Sequence, residues 1–206
     1  MARPDTPPAL DPAGERIPLF PLHSVLFPGG PLALRIFEPR YLDMISRCLK
    51  NNGGFGVVLI REGREVGEAA LTYSVGTFGH ISYWQQRSDG LLGVTLRGQQ
   101  RFQIQSVYPQ ADQLLMADVL PLPNEAALAL PAEYASLAAT LEEIFTHLDH
   151  PYLTLPREFD NAAWVSARLT ELLPLSLVQK QHFLELNDSL ERLALLRGML
   201  ESEAQG

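Results

Sequence analysis

The chain has a single cysteine, Cys48, in 206 residues, which excludes an internal disulfide and any metal site built from several thiolates. Lysine is nearly as scarce, with only Lys50 and Lys180 present. A phosphate loop of the form G-x-x-x-x-G-K-[ST] needs a lysine behind its glycines, and neither lysine follows such a loop. No apolar run approaches the ~20 residues that cross a bilayer. Residues 1–16 hold prolines, Asp5, Asp11 and Glu15 where a leader would be apolar. These absences give a protein without a membrane segment, expected in the cytoplasm. Positive charge is also short: the net charge is −8, and from residue 121 onward five basic residues face thirteen acidic ones. A broad phosphate-backbone surface needs the opposite balance, so nucleic acid is not the favoured partner.

What is present is a chain with 46% hydrophobic residues, enough for a sizeable core. Its densest stretch is Ile17–Leu49. Ile17 and Leu19 alternate with Pro18 and Pro21, so a first strand is expected at a sheet edge, where a missing N–H costs least. Phe27-Pro28-Gly29-Gly30-Pro31 has the chemistry of a reversal. Leu32, Leu34 and Ile36 then alternate with Ala33, Arg35 and Phe37, which predicts a returning strand ended by Glu38 before Pro39. Pro39 suits the first turn of a helix. Tyr41, Leu42, Ile45, Cys48 and Leu49 recur at helical spacing, and Asn51-Asn52-Gly53-Gly54 is a left-handed stop.

PLFPL, VLFPGG, IFEPRY and GFGVVLI, in that order, resemble the N-terminal, substrate-binding domain of Lon-type ATP-dependent proteases. The resemblance continues through DG…L-R-G-x-x-R-F…A-D-V-L and the helical tail, from about Ile17 nearly to the end. It implies an α+β fold: a PUA-like β pseudo-barrel with one inserted helix, followed by an α-helical bundle. The expected organisation is a flexible tail over 1–15, the β subdomain over 16–123 and the helical subdomain over 124–206.

The remaining β segments read as follows. Phe55–Ile60 is an apolar run bounded by glycine and charge, a strand covered on both faces. Val66–Tyr73 is weakly patterned and reads as loop, with a short strand as the alternative. Over Val75–Gln85 a period of two puts Val75, Thr77, Gly79, Ile81 and Tyr83 on one face, leaving Trp84 on the other, so one ring is expected inside the barrel and the other covered outside it. Ser88-Asp89-Gly90 is a hairpin turn. Leu92–Leu96 returns, Arg97-Gly98-Gln99-Gln100 reads as another turn, and further strands run through Phe102–Ile104 and Leu115–Val119.

From Pro131 the period lengthens to between three and four. Tyr134, Leu137, Leu141, Phe145 and Leu148 make a first helical stripe. Asn161 caps a second helix with Trp164, Leu169, Leu172 and Leu173 inward; Ser176-x-x-Gln179 is a capping box for a third; Asp188 starts a fourth.

Catalysis finds little to stand on. Ser176 and Lys180 are four apart, but Ser176 serves better as an N-cap and Lys180 as a solvated helix residue. His147 and His150 lack a third ligand at metal spacing. Cys48 sits on an apolar stripe and reads as a small buried hydrophobe. The Lon ATPase and serine–lysine protease modules would lie beyond Gly206, so their catalytic residues have no positions here; no catalytic residue, metal or cofactor is assigned. The resemblance implies a free-standing, non-catalytic polypeptide-binding module that takes unfolded or exposed apolar segments, with a separate protease or chaperone as a further partner. Phe37, Arg40 and Tyr41, with Tyr83 and Trp84, are the candidate residues of a shallow peptide groove. RNA binding on a PUA-like fold and small-molecule hydrolysis are the alternatives; a basic face near Arg35, Arg97 and Arg101 would favour the first.

Overall fold

A computed structural model describes residues 9–65 and 70–203. Two compact units are present, Met1–Pro123 and Asn124–Gly206. The first contains β1 (Glu15–Leu22), β2 (Pro31–Ile36), α1 (Pro39–Asn51), β3 (Gly54–Glu62), β4 (Leu71–Gln86), β5 (Leu92–Pro109) and β6 (Leu115–Pro121). The sheet order is β2-β5-β4-β3-β1-β6, and β5 also pairs with β6. Five strands therefore close a ring, β5-β4-β3-β1-β6, and β2 is appended to the outer half of β5.

The long β5 makes this closure possible. Leu92–Arg97 pairs with β2, while Phe102–Pro109 pairs with β6, so one strand serves two neighbours on the same side. Two buried clusters result. Ile17, Leu19, Val58, Phe78, Phe102, Ala117 and Val119, contributed by all five ring strands, form one. Phe20, Leu22, Phe55 and Val57 face the other way and pack with Ile36, Val94, Leu96 and the buried side of α1. All of Phe55–Ile60 is buried, in keeping with a strand covered on both faces.

Several local expectations are corrected. β1 is not at the edge: Glu15–Pro18 is in register with β6 and Leu19–Leu22 with β3. Each half has one registered neighbour, which is how a strand carrying Pro18 and Pro21 fits inside a sheet. The strand with a free side is β2, paired only with β5 among the described residues. Residues 10–15 are not loose, because Leu10 is buried in the ring cluster and Gly14 N–H bonds Asp11 O at 2.8 Å; residues 1–8 lie outside the described ones. The 66–73 loop reading falls partly on 66–69, also outside them, and β4 already begins at Leu71.

Arg97–Gln100 is no turn but a bulge in continuous β5. Gly98 and Gln100 oppose Gly79 and Phe78, leaving Gln99 unpaired. Gly98 is needed for close approach, since a Cβ there would collide with the Phe27 carbonyl oxygen. On α1 the buried stripe is Tyr41, Met44, Ile45 and Cys48; Leu42 and Leu49 are exposed. Pro39 opens the helix, and left-handed Asn52 (φ 50°) closes it by bonding Cys48 O.

The second unit contains α2 (Ala135–Thr146), α3 (Ala162–Leu172), α4 (Leu177–Glu185) and α5 (Ser189–Glu203), with single 3₁₀ turns at Ala132–Tyr134 and Tyr152–Thr154. The caps are where the side chains require them. Asn161 accepts from Ala163 and Trp164 N–H, Ser176 and Gln179 form a reciprocal capping box, and Asp188 Oδ1 accepts from Leu190 N–H at 2.8 Å. The inward face of α3 is broader than expected: Ser166, Arg168 and Thr170 are buried with Val165 and Leu169, while Trp164 and Leu172 are only partly covered. Arg168 pairs with Glu171 at 2.8 Å. Arg192 pairs with Glu125, Nη1 to Oε2 at 3.0 Å, and donates to Phe183 O and Ser166 Oγ.

Candidate functional site

The candidate site grows from the corner between β2 and α1. Glu38 is extended (φ −79°, ψ 132°), as a residue before proline must be, and its carbonyl accepts from Tyr41 and Leu42 N–H. Its carboxylate does not cap the helix; it turns to Arg40, Oε2 to Nη2 at 2.7 Å. Arg40 Nη1 also donates to Gln113 O at 3.0 Å, and the guanidinium lies 4.9 Å from the Tyr41 ring centroid. Arg40 is thus a corner lock, tying α1 to the β5–β6 loop.

Tyr41 is buried and stacks on Phe20. Burial raises its phenol pKa, partly offset by Arg40. Phe37 is released by the turn and stands 55% exposed. Phe37, Tyr41, Phe20, Leu22 and Leu34 line a hollow of about 320 Å³ together with Glu38 and Glu65. The hollow borders β2, the strand with no second neighbour among the described residues. Arg40 lies instead in a smaller crevice with Arg64, Glu65 and Gln113.

Tyr83 and Trp84 are not part of that hollow. Ser82 is an extra residue on β4, its Oγ donating to Thr95 O at 3.0 Å, so the alternation of faces breaks between Ile81 and Tyr83. Neither ring enters the barrel and neither is covered: both are 56% exposed. Trp84 falls in one cross-strand row with Val94 and Leu34. Two strand spacings, ~10 Å, therefore separate Trp84 from the strand that borders the hollow.

Phe20 and Leu22 are wall residues absent from the groove expected from the sequence. Their signal is an apolar residue on both parities of β1, which marks a strand buried on both faces.

The residues of the other readings are engaged elsewhere. Arg101 is buried and donates to Pro123 O, Arg97 donates to Gly29 O, and Arg35 pairs with Asp89 at 3.5 Å, so these three make no contiguous basic face. Ser176 is spent on its capping box. Lys180 is half-buried rather than solvated: Nζ donates to Glu171 O at 2.7 Å, and desolvation lowers its pKa. Burial pushes the Cys48 thiol up to about 11, which keeps it protonated and unreactive at neutral pH. Among the described residues no group of three or more His, Cys, Asp or Glu could hold a metal ion, and no helix is long and apolar enough to cross a membrane.

Comparison with known proteins bears on the whole chain. The family profile of the ATP-dependent protease La (LON) substrate-binding domain matches residues 16–202. A Lon N-terminal domain protein from Xanthomonas campestris superposes with a TM-score of 0.75 at 35% identity, covering 89% of this chain and 98% of that one. The N-terminal domain of a Mycobacterium avium complex Lon protease, at 18% identity and a TM-score of 0.60, shares the fold over 88% of this chain and 96% of its own. A Lon protease of Parabacteroides distasonis is 25% identical over 205 residues, which are 95% of this chain and 25% of that protein. The chain spans about a quarter of the length of the curated relatives it matches.

Proposed function

The chain belongs to the family of ATP-dependent protease La (LON) substrate-binding domains, and we propose that it is a non-catalytic module that holds extended apolar segments of unfolded polypeptides. The observation that carries this reading is the pairing of an open strand edge with an apolar hollow. β2 has one registered neighbour among the described residues, and beside it lies the 320 Å³ hollow walled by Phe20, Leu22, Tyr41 and Phe37. An incoming strand satisfies its backbone groups on such an edge and seats alternate side chains in the hollow. Backbone pairing supplies affinity without sequence, which suits a binder of many unfolded chains.

In this reading Phe37 is the apolar anchor at the rim, Tyr41 a fixed wall and Arg40 the residue that positions them. Trp84, in the cross-strand row of Val94 and Leu34, offers a second apolar contact, while Tyr83 stands on the opposite face of β4. The five-stranded ring with its one inserted helix supports reading the first unit as a PUA-like pseudo-barrel. A separate protease or chaperone is the natural recipient of a chain held this way.

The test is a fluorescence-anisotropy titration with labelled unfolded polypeptides. Saturable binding that an excess of unlabelled unfolded chain displaces supports the proposal. No binding to a demonstrably folded sample up to about 100 μM, roughly −5.5 kcal/mol, removes it.

A further inference from the structure

A second hollow, of about 260 Å³, opens beside the C-terminal half of α1. Its walls are apolar: Pro18 from β1, Met44 and Cys48 from α1, Leu114 from the β5–β6 loop and Met116 from β6. Its rim is not. Arg47, Asn51 and Gln110 border it, and none of their side chains makes a hydrogen bond or ion pair with a described residue. One unengaged guanidinium and two unengaged carboxamides around an apolar recess are the elements of a site for an amphipathic anion. A guanidinium matches the planar fork of a carboxylate. A single guanidinium is poor equipment for a phosphate, which is usually met by several backbone N–H groups at a helix N-terminus or nest.

We propose that this hollow binds an apolar carboxylate the size of one amino-acid residue, with Arg47 on the carboxylate and Met44, Leu114 and Met116 around the apolar body. Asn51 and Gln110 are placed to meet a neighbouring amide, as the last peptide unit of a chain would present. The negative end of α1 opposes an anion here, and three features offset it. Asn52 and Gly53 N–H already occupy Cys48 O, Arg47 and Lys50 both add positive charge to the last turns, and Cys48 is held protonated, its thiol donating to Gly54 O at 3.4 Å. The one acid of the adjoining loop, Asp112, has its Oδ1 on Leu114 N–H.

A free acid and the C-terminus of a polypeptide share this chemistry, so the experiment separates them. Protein labelled with ¹³C at the methionine methyls reports directly, because Met44 and Met116 line the hollow and Met199 lies on α5. It is titrated with N-acetyl-leucine, with a pentapeptide ending in leucine, and with the C-terminal amide of each. The expected result is that the acids move Met44 and Met116 and leave Met199 in place. The amides, and the Arg47→Gln variant, should bind at least about tenfold more weakly, as loss of a charged hydrogen-bonded pair requires. Arg47 is exposed, so the variant is expected to fold. Binding of both acids makes one residue sufficient; binding of the peptide acid alone identifies a polypeptide C-terminus. Amides within about twofold of the acids, indifference to Arg47→Gln, or no methionine shift up to about 10 mM overturns the proposal. The β2 edge takes no part, so failure of strand binding there leaves this result standing, and the reverse also holds.

Discussion

The ring of Tyr41 lies on that of Phe20, centroids 4.0 Å apart and planes 23° from parallel, and this stack joins the first turn of α1 to β1 at the wall of the hollow beside β2. Phe37, four residues earlier, is more than half exposed. Two aromatics of one motif thus have separable roles. Tyr41→Ala should cost about 3–5 kcal/mol in urea unfolding, as truncation of a buried ring does. Phe37→Ala should change stability by no more than about 0.5 kcal/mol, yet weaken polypeptide binding by about tenfold as an interface anchor. Equal effects of the two changes on stability would contradict this division.

The same separation applies to the cross-strand row that Trp84 shares with Val94 and Leu34. Trp84, 56% exposed beside Val94, should be replaceable by alanine with little loss of stability. If it extends the apolar contact, Trp84→Ala weakens binding of long unfolded chains more than that of short peptides that fill only the hollow. Anisotropy titrations with the two probe lengths measure the difference.

Arg192 reaches Glu125, Ser166 Oγ and Phe183 O from α5, and its side chain is almost wholly buried. Arg192→Leu leaves Glu125, itself mostly buried, without its cation. The expected loss in the second unit is about 3–5 kcal/mol, read by chemical denaturation. In contrast, Gly198 sits inside α5 with open space where a Cβ would stand, so Gly198→Ala should stabilise by about 1 kcal/mol through helix propensity.

Asp118 gives a pH prediction whose sign is fixed by its neighbours. The hydrogen bond from Arg16 first, together with that from Ser106, holds its carboxyl down at about 2, from an ordinary value of 3.8. A carboxylate whose pKa falls on folding adds stability above its unfolded pKa and loses it as pH drops through the folded one. The Tm gap between the protein and Asp118→Asn should therefore be steady above about pH 5 and close between about pH 4 and 2. Because the pair is exposed, the gap should also shrink in high salt.

How much of the fold is legible in the sequence depends on whether a signal is local. Asn161, Ser176 with Gln179, and Asp188 cap the helices that their spacing announces, because a cap is made within three residues. Pro18 and Pro21 do mark missing donors, but the inference from them to a sheet edge fails. Nothing local reveals that β1 changes neighbours between Pro18 and Leu19, or that β2 keeps the open side. The extra residues Ser82 and Gln99 break the period of two on which the face of Tyr83 and the turn at Gly98 depend. Arg168 and Arg192 carry no pattern that separates them from solvated charges, since their burial is decided by Glu171 and Glu125, three and 67 residues away. At the site, the Phe37–Tyr41 motif marks the right corner, while its partners Phe20 and Leu22 come from another strand.

Hydrogen–deuterium exchange with and without a saturating unfolded polypeptide tests the account most directly, because strand addition must protect backbone amides. The prediction is slowed exchange concentrated in Pro31–Ile36 and the adjoining Phe37–Tyr41, with the ring strands unchanged. Saturated binding that leaves these amides exchanging at their free rate would contradict it.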